Sequence, residues 1–287
     1  PRRSSDLAIH AADGYARASG RVGVCLVTSG PGATNTVTGI ANAYMDSIPV
    51  VVLTGQVPTA MIGNDGFQEV DITGITRTCT KHNFLVRRIG DLHNTIREAF
   101  QIARSGRPGP VLVDLPKDVI QSVATIDPSP MAAYPGEEAP PDLEGLCNEA
   151  LKRLLKAKKP LLIVGGGVIL GRASGEFRTF ARKFQIPVVS TLMGLGGFPA
   201  SDPLWSGMLG MHGAYSANMA VSQCDVLMAV GVRFDDRATS KVEAFAPHAR
   251  IIHIDIDPVS IDKIVRTDVS IVSHCTPALH TLLDRKS

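Results

Sequence analysis

Long apolar runs are missing from this sequence of 287 residues. The longest, residues 161–171, is diluted by glycines and falls far short of the ~20 residues that a bilayer-spanning helix needs, so no membrane segment is expected. C-x-x-C pairs are missing too. The five cysteines, Cys25, Cys79, Cys147, Cys224 and Cys275, are odd in number and widely spaced, which points to free structural thiols in a reducing compartment. The eight histidines include no H-E-x-x-H spacing, so no protein-held metal site is expected. Charge of one sign does not predominate: the formal net charge is +2, and the arginines and lysines form no stripe. That removes the electrostatic case for nucleic acid or an anionic membrane surface as partner. The opening Pro-Arg-Arg-Ser-Ser-Asp leads into no apolar stretch of a secretory signal. The first residue is not methionine, from which a fragment or a processed chain is expected.

What is present suits two packed cores. The length exceeds the usual single domain, and a hydrophobic fraction of 44% with 20% charged residues fits a globular α/β protein. Residues 10–19 have helical composition and stop at Gly20, and residues 22–28 read as a strand. The glycine loop 29–35, a helix to Met45 and a strand at 49–54 follow. Strand, glycine loop, helix and strand in that order predict a parallel sheet with right-handed crossovers. Further on, residues 84–89 are expected as a strand and 91–105 as a helix, with Asp91 as N-cap and Gly106 as stop. Residues 110–116 read as an edge or closing strand. The domain expectation is therefore α/β over 1–120, a proline-rich linker over 121–142, and a second α/β domain over 143–287. In the latter, a helix at 143–157 precedes strands at 161–166, 187–191, 226–231 and 250–256, with helices at 176–184 and 214–223. Both are expected as doubly wound parallel sheets, those four strands being buried on both faces.

Chemistry concentrates in residues 55–69, GQVPTAMIGNDGFQE, at the end of a buried strand. Glycines permit close approach of chain or ligand, and Phe67, Gln68 and Glu69 offer a ring, an amide and a carboxylate side by side. In the second domain Gly165, Gly166 and Gly167 follow a strand, yet the next strand ends Ser190-Thr191-Leu192-Met193 without the acidic residue of an NAD site. Segments 191–197, 231–237 and 253–257 all leave strand ends, so they would share one rim, where a dinucleotide such as FAD fits. The sharpest, Gly231-Val-Arg-Phe-Asp-Asp-Arg237, reads either as a surface salt-bridge network or as an anion clamp.

Taken together, HAADGYARASGRVGVCLVTSGPGATN (10–35), GQVPTAMIGNDGFQE (55–69), TKHNFLV (80–86), GRPGPVLVDLPKD (106–118), STLMGLG (190–196), GVRFDDR (231–237) and HIDIDP (253–258) resemble the acetolactate synthase large catalytic subunit, in that family's order. The resemblance implies a thiamine-diphosphate (ThDP) enzyme. Its pyrimidine-binding domain is expected here in part, followed by the central FAD-binding, Rossmann-like domain. Such enzymes decarboxylate pyruvate and join the two-carbon unit to a second 2-oxoacid, pyruvate or 2-oxobutyrate, in branched-chain amino acid biosynthesis. Phe67 and Gln68 would face the reacting group, Lys117 would lie near the entrance, and Arg237 would recognise the acceptor carboxylate. Around FAD, which is structural in the family, the matching positions are Arg107, Gly165, Gly166, Gly167, Thr191, Leu192, Met193, Gly231, Arg233, Asp235, Asp255 and Ile256. Ser29 to Asn35 would sit near the aminopyrimidine. A homodimer or tetramer, a regulatory subunit, and a cytoplasmic, plastid or mitochondrial location are implied in the same way.

Two positions depart from the family. The glutamate that activates ThDP stands five residues before the His10 counterpart, where this chain has Ser5. A hydroxyl does not supply a carboxylate's acid–base function. The Gly-Asp-Gly motif that holds magnesium at the diphosphate does not occur in the sequence. An internal fragment without carboligase activity of its own is therefore expected, with an unpaired edge on its first sheet. Ser273 and His274 also replace a Gly-Asp pair expected beside FAD. The alternatives are another ThDP-dependent 2-oxoacid enzyme, such as glyoxylate carboligase, and a non-catalytic FAD- or nucleotide-binding module.

Overall fold

Ten runs of extended chain pair into two separate parallel sheets in the computed structural model, which describes residues 4–125 and 140–284. Most of the expected proline-rich linker lies outside the described residues. The chain divides into two units, Pro1–Glu137 and Glu138–Ser287.

In the first unit, α1 (Ser4–Ser19) closes at Gly20, whose φ of 65° is open to glycine without strain. β1 (Gly23–Val27), α2 (Pro31–Thr34), α3 (Val37–Met45) and β2 (Val50–Gln56) follow. Next come α4 (Ile72–Thr76), β3 (His82–Leu85), α5 (Ile89–Arg104), β4 (Val111–Pro116) and α6 (Lys117–Gln121). The strand order is β1-β2-β4-β3, every pair parallel. Because side chains alternate across a strand, Val50, Val52 and Leu112 pack against α1, α3 and α4, while Val51, Val111 and Val113 pack against α5 and α6. At the edge strand β1 this cover runs out, and Val24 and Leu26 are exposed.

The second unit comprises α7 (Leu143–Lys156), β5 (Pro160–Val164), α8 (Gly166–Leu170), α9 (Ser174–Phe184), β6 (Val188–Ser190) and β7 (Trp205–Met208). α10 (Tyr215–Gln223), β8 (Val226–Val230), α11 (Asp236–Thr239), β9 (Arg250–Asp255), β10 (Val269–Val272) and α12 (Cys275–Leu283) complete it. The order is β10-β9-β8-β5-β6-β7, again all parallel. α7 begins at Asp142, which accepts the Gly145 N–H, and turns Cys147, Ala150, Leu151 and Leu154 inward at helical spacing. α7, α9 and α12 cover one face, and α10 covers the other with Val232 and Phe234. The four apolar runs read as doubly buried strands are the inner four of the six.

Four expectations need correction. β3 spans His82–Leu85 and not 84–89, since Ile89 already opens α5. β4 is an inner strand, paired with β2 and β3 and buried at every residue, because its prolines bound it rather than interrupt its pairing. α5 starts at Ile89, since Ile89 and Leu92 both pack on the core; Arg88 is the N-cap, and Asp91 instead pairs with it, Nε to Oδ2, at 2.9 Å. Gly55 belongs to β2 and not to the loop beyond it. No disulfide joins any of the five cysteines; burial lifts the Cys25 thiol to about 11 and those of Cys224 and Cys275 to about 12. No helix among the described residues is long and apolar enough to cross a membrane.

Candidate active site and cofactor rim

The carboxyl ends of β1, β2 and β4 place three expected segments at one rim of the first sheet. The loop after β1 carries Gly30 at φ 56°, and a Cβ there would stand 2.9 Å from both the Cβ and the carbonyl oxygen of Gln68. Glycine at position 30 is what lets residues 29–35 and 55–69 meet. Gly55 does the same one strand over, where a Cβ would lie 3.2 Å from the Ser29 nitrogen. Gln68 itself holds a left-handed φ of 62°, an uncommon conformation for a residue with a side chain. Beside it Phe67 is 88% exposed. A strained backbone and an uncovered ring thus fall side by side at this rim. Lys117 opens α6 at the end of β4, exposed at the same rim.

Glu69 does not join this wall. Its carboxylate folds back to accept the N–H groups of Gly63 and Gly66, which hold its pKa below the ordinary carboxylate value. The Thr59 N–H donates at 2.9 Å to Asp118 of α6, fastening the loop at a second place. Arg107 is not at this rim either. It lies in the turn before β4, at the amino-terminal end of the sheet, where its Nε donates to Ser47 Oγ at 2.8 Å.

A polar group that sequence reading did not single out lies under the loop. Thr54 and Gln56 continue the apolar row of Val50 and Val52 along one face of β2, and Asp114 continues that of Leu112 on β4. Asp114 accepts from Thr54 Oγ1 at 2.7 Å and from Gln56 Nε2 at 2.9 Å. It is 1% exposed, and burial pushes its carboxyl up to about 6 against the pull of those two donors.

In the second unit β5 runs on to β6 on one side, and the chain later returns to place β8 on the other. This reversal puts a topological switch point at the β5/β8 rim. There the glycines are packing devices first: a Cβ on Gly165 would meet the Gly231 carbonyl oxygen at 2.0 Å, and one on Gly167 the Gly231 Cα at 2.6 Å. Gly231, at φ 62°, makes the reciprocal approach. Gly166 lies against Met193, in the short turn at Leu192–Gly194 that Thr191 caps. Leu192 and Met193 are exposed apolar groups at this rim.

The 231–237 segment behaves in part as a salt-bridge network and in part as a display of cations. Asp235 caps α11 by accepting the N–H groups of Arg237 and Ala238, and Arg233 reaches it only at 3.9 Å. Arg237 is well exposed, with Met211 Sδ 3.6 Å from its Nη1. Buried Phe234 bends the chain at φ 56° and rests edge-on against His253, whose Nε2 donates to the Val232 carbonyl at 2.7 Å. Burial lowers the His253 pKa. Asp255 is mostly committed inward, accepting the Asp257 N–H at 2.9 Å, with Ile256 half-buried beside it. The Ser273 N–H bonds the Asp255 carbonyl, so Ser273 and His274 border the same rim. Apolar Leu192 and Met193 with cationic Arg233 and Arg237 at one switch point form a donor set that suits a ring system carrying phosphates.

Comparison with known proteins identifies the family of these two units. Residues 2–75 match the family described as the thiamine pyrophosphate enzyme N-terminal TPP binding domain, and residues 147–282 match the central domain of those enzymes. The chain is 51% identical over 287 residues to a protein of Methanocaldococcus jannaschii named probable acetolactate synthase large subunit, covering 98% of this chain and 48% of that protein. It is 48% identical over 285 residues to the Escherichia coli acetolactate synthase isozyme 3 large subunit, covering 98% and 50%. With the Zea mays chloroplastic acetolactate synthase 1 the figures are 51% over 273 residues, 94% and 42%. The chain thus spans about half the length of the curated relatives it matches.

Proposed function

Since the chain belongs to the thiamine pyrophosphate enzymes, with their N-terminal and central domains, we propose that it forms the pyrimidine-side and FAD-side parts of an acetolactate synthase catalytic subunit. The boundaries proposed for these parts are residues 1–120 and 143–287, joined by 121–142. The substrates are pyruvate and a second 2-oxoacid, pyruvate or 2-oxobutyrate. The observation that carries the reading is the meeting of segments 29–35 and 55–69, with strained Gln68 and uncovered Phe67 at the junction.

ThDP, when bound, supplies the electron sink for decarboxylation of a 2-oxoacid. The residues of this chain orient and enclose. Gln68 offers an amide that donates and accepts toward the reacting group, and Phe67 gives an apolar wall that excludes water. Lys117 stands at the mouth, and the exposed fork of Arg237 is suited to the acceptor carboxylate. FAD has a structural role at the β5/β8 rim, against Gly165, Gly166, Gly167, Thr191, Leu192, Met193, Gly231, Arg233, Asp235, Asp255 and Ile256. Magnesium belongs with the diphosphate, whose Gly-Asp-Gly motif is not within these 287 residues. Ser5, at the position of the activating glutamate, is buried in the first turn of α1 and offers a hydroxyl only. These 287 residues by themselves are accordingly proposed to turn over no pyruvate. A homodimer or tetramer, a regulatory subunit and a cytoplasmic, plastid or mitochondrial location complete the proposal.

The test is a spectrum of the purified chain after FAD is added and the excess removed. Flavin retained near one per chain supports the reading, whereas a folded chain that retains none refutes the assignment of the β5/β8 rim. Pyruvate turnover by the isolated chain with ThDP and magnesium would overturn the proposed inactivity.

A further inference from the structure

The segment between Val57 and Val70 contains Pro58, Gly63 and Gly66 and only a short helical turn at Thr59–Met61, so its shape depends on what fixes its ends. One side chain reaches both. The Gln56 carbonyl oxygen accepts the Val57 N–H at 2.8 Å, and its Nε2 donates to the Val70 carbonyl at 2.8 Å and to Asp114 Oδ2 at 2.9 Å. The amide is thereby fully engaged: two N–H groups meet two acceptors and the oxygen meets one donor. Asp114 sets the polarity, because a reversed amide would turn its oxygen toward a carboxylate and a carbonyl. Thr54 holds the other carboxylate oxygen, which keeps Asp114 facing Gln56.

We propose that Gln56 is a positioning residue that closes the 57–70 segment onto β4 and so fixes where Gln68 stands. This rests on the reading of Gln68 as an active-site group. Thr59 and Glu69 tie the middle of the segment, whereas Gln56 joins its two ends to the sheet through one group.

The test compares Gln56→Glu with the double variant Gln56→Glu/Asp114→Asn. In the double variant the new carboxylate accepts from Val57 N–H and from the asparagine amide, while Thr54 keeps its acceptor. The bond to Val70 is lost, and a carboxylate oxygen takes the donor's place beside that carbonyl. Hydrogen exchange of the chain is expected to show amides of 57–70 exchanging about tenfold faster or more in the double variant, the scale for one lost buried bond, and faster still in the single variant, which also loses the bond to Asp114, with β2 and β4 protected normally in the double variant. In the protein that carries this sequence, kcat for pyruvate is expected to fall in both variants, with KM changed less. Recovery of loop protection and kcat in the double variant would reduce Gln56 to a strand-to-strand staple and overturn the proposal. Unchanged loop exchange in the single variant would overturn it too. Failure of the active-site reading shows separately, as full turnover by Gln68→Ala with the exchange results standing.

Discussion

Asp114 gives the first sheet a pH response of unusual sign. Its carboxyl, ordinarily near 3.8, is carried to about 6, chiefly by burial and to a lesser degree by the charge of Asp71, while Thr54 and Gln56 pull the other way. The folded chain therefore holds this proton more tightly than the unfolded chain. The stabilisation tied to it is complete below pH 3.8 and lost as the pH rises to about 6. A shift of about 2 units corresponds to about 3 kcal/mol, of which roughly 2.5 kcal/mol falls between pH 4 and pH 7.5. The assay is the free energy of opening of β2 and β4, read from hydrogen exchange in urea for the wild type and for Asp114→Asn. Their difference cancels every other titration the two proteins share. The wild type is expected to lose about 2.5 kcal/mol relative to the variant across that range. A difference that stays flat, or a carboxyl resonance of Asp114 titrating near 4, would refute the reasoning.

Elsewhere the expected effects are steric or of the opposite sign. Gly165→Ala places a methyl carbon 2.0 Å from a backbone oxygen, and backbone cannot rotate aside; the second unit should lose about 3 kcal/mol or more, measured by urea unfolding followed at Trp205. A loss under about 1 kcal/mol would show that the β5/β8 rim yields more easily than its packing implies. His253 is buried with its pKa depressed, mainly by desolvation, although Asp262 and the bond to Val232 oppose the shift; Asp255 Oδ2 lies 3.8 Å from its Nε2. Stability from the neutral imidazole is present above pH 6.5 and lost as the pH falls through the lower folded value. His253→Phe should therefore flatten the acid limb of the second unit's stability curve while costing about 1–3 kcal/mol at pH 7.5 for the stranded Val232 carbonyl; an unchanged acid limb would show that another group titrates there.

Legibility in the sequence followed burial. β5, β6, β8 and β9 are covered on both faces, so their residues form unbroken apolar runs that announce strands. β7 and β10 are the edges, short and partly exposed, and β7 contains Gly207 at φ 116°; neither leaves such a run. α12 was hidden by Pro277 within its first turn, where proline is in fact tolerated, and α8 by its glycines. The resemblance supplied Phe67, Gln68 and Arg237 because their motifs are local. Thr54, Gln56 and Asp114 form a site only when parallel pairing brings position 54 beside position 114, a juxtaposition of residues far apart in the chain. Gln68 illustrates the remaining gap: its motif was visible, but the left-handed backbone that seats it against Gly30 was not.

The buried thiols have a use beyond packing. Cys25 sits in the interior of the first unit, and Cys147, Cys224 and Cys275 in the interior of the second, each unreactive while its surroundings stay closed. Trapping with a fast thiol reagent therefore times the opening of each half of the chain separately, with half-exposed Cys79 as the early, uninformative signal. Peptide mapping of the modified cysteines would tell which unit let go first. The sequence comes with its own stopwatch for each domain, and no label has to be engineered into it.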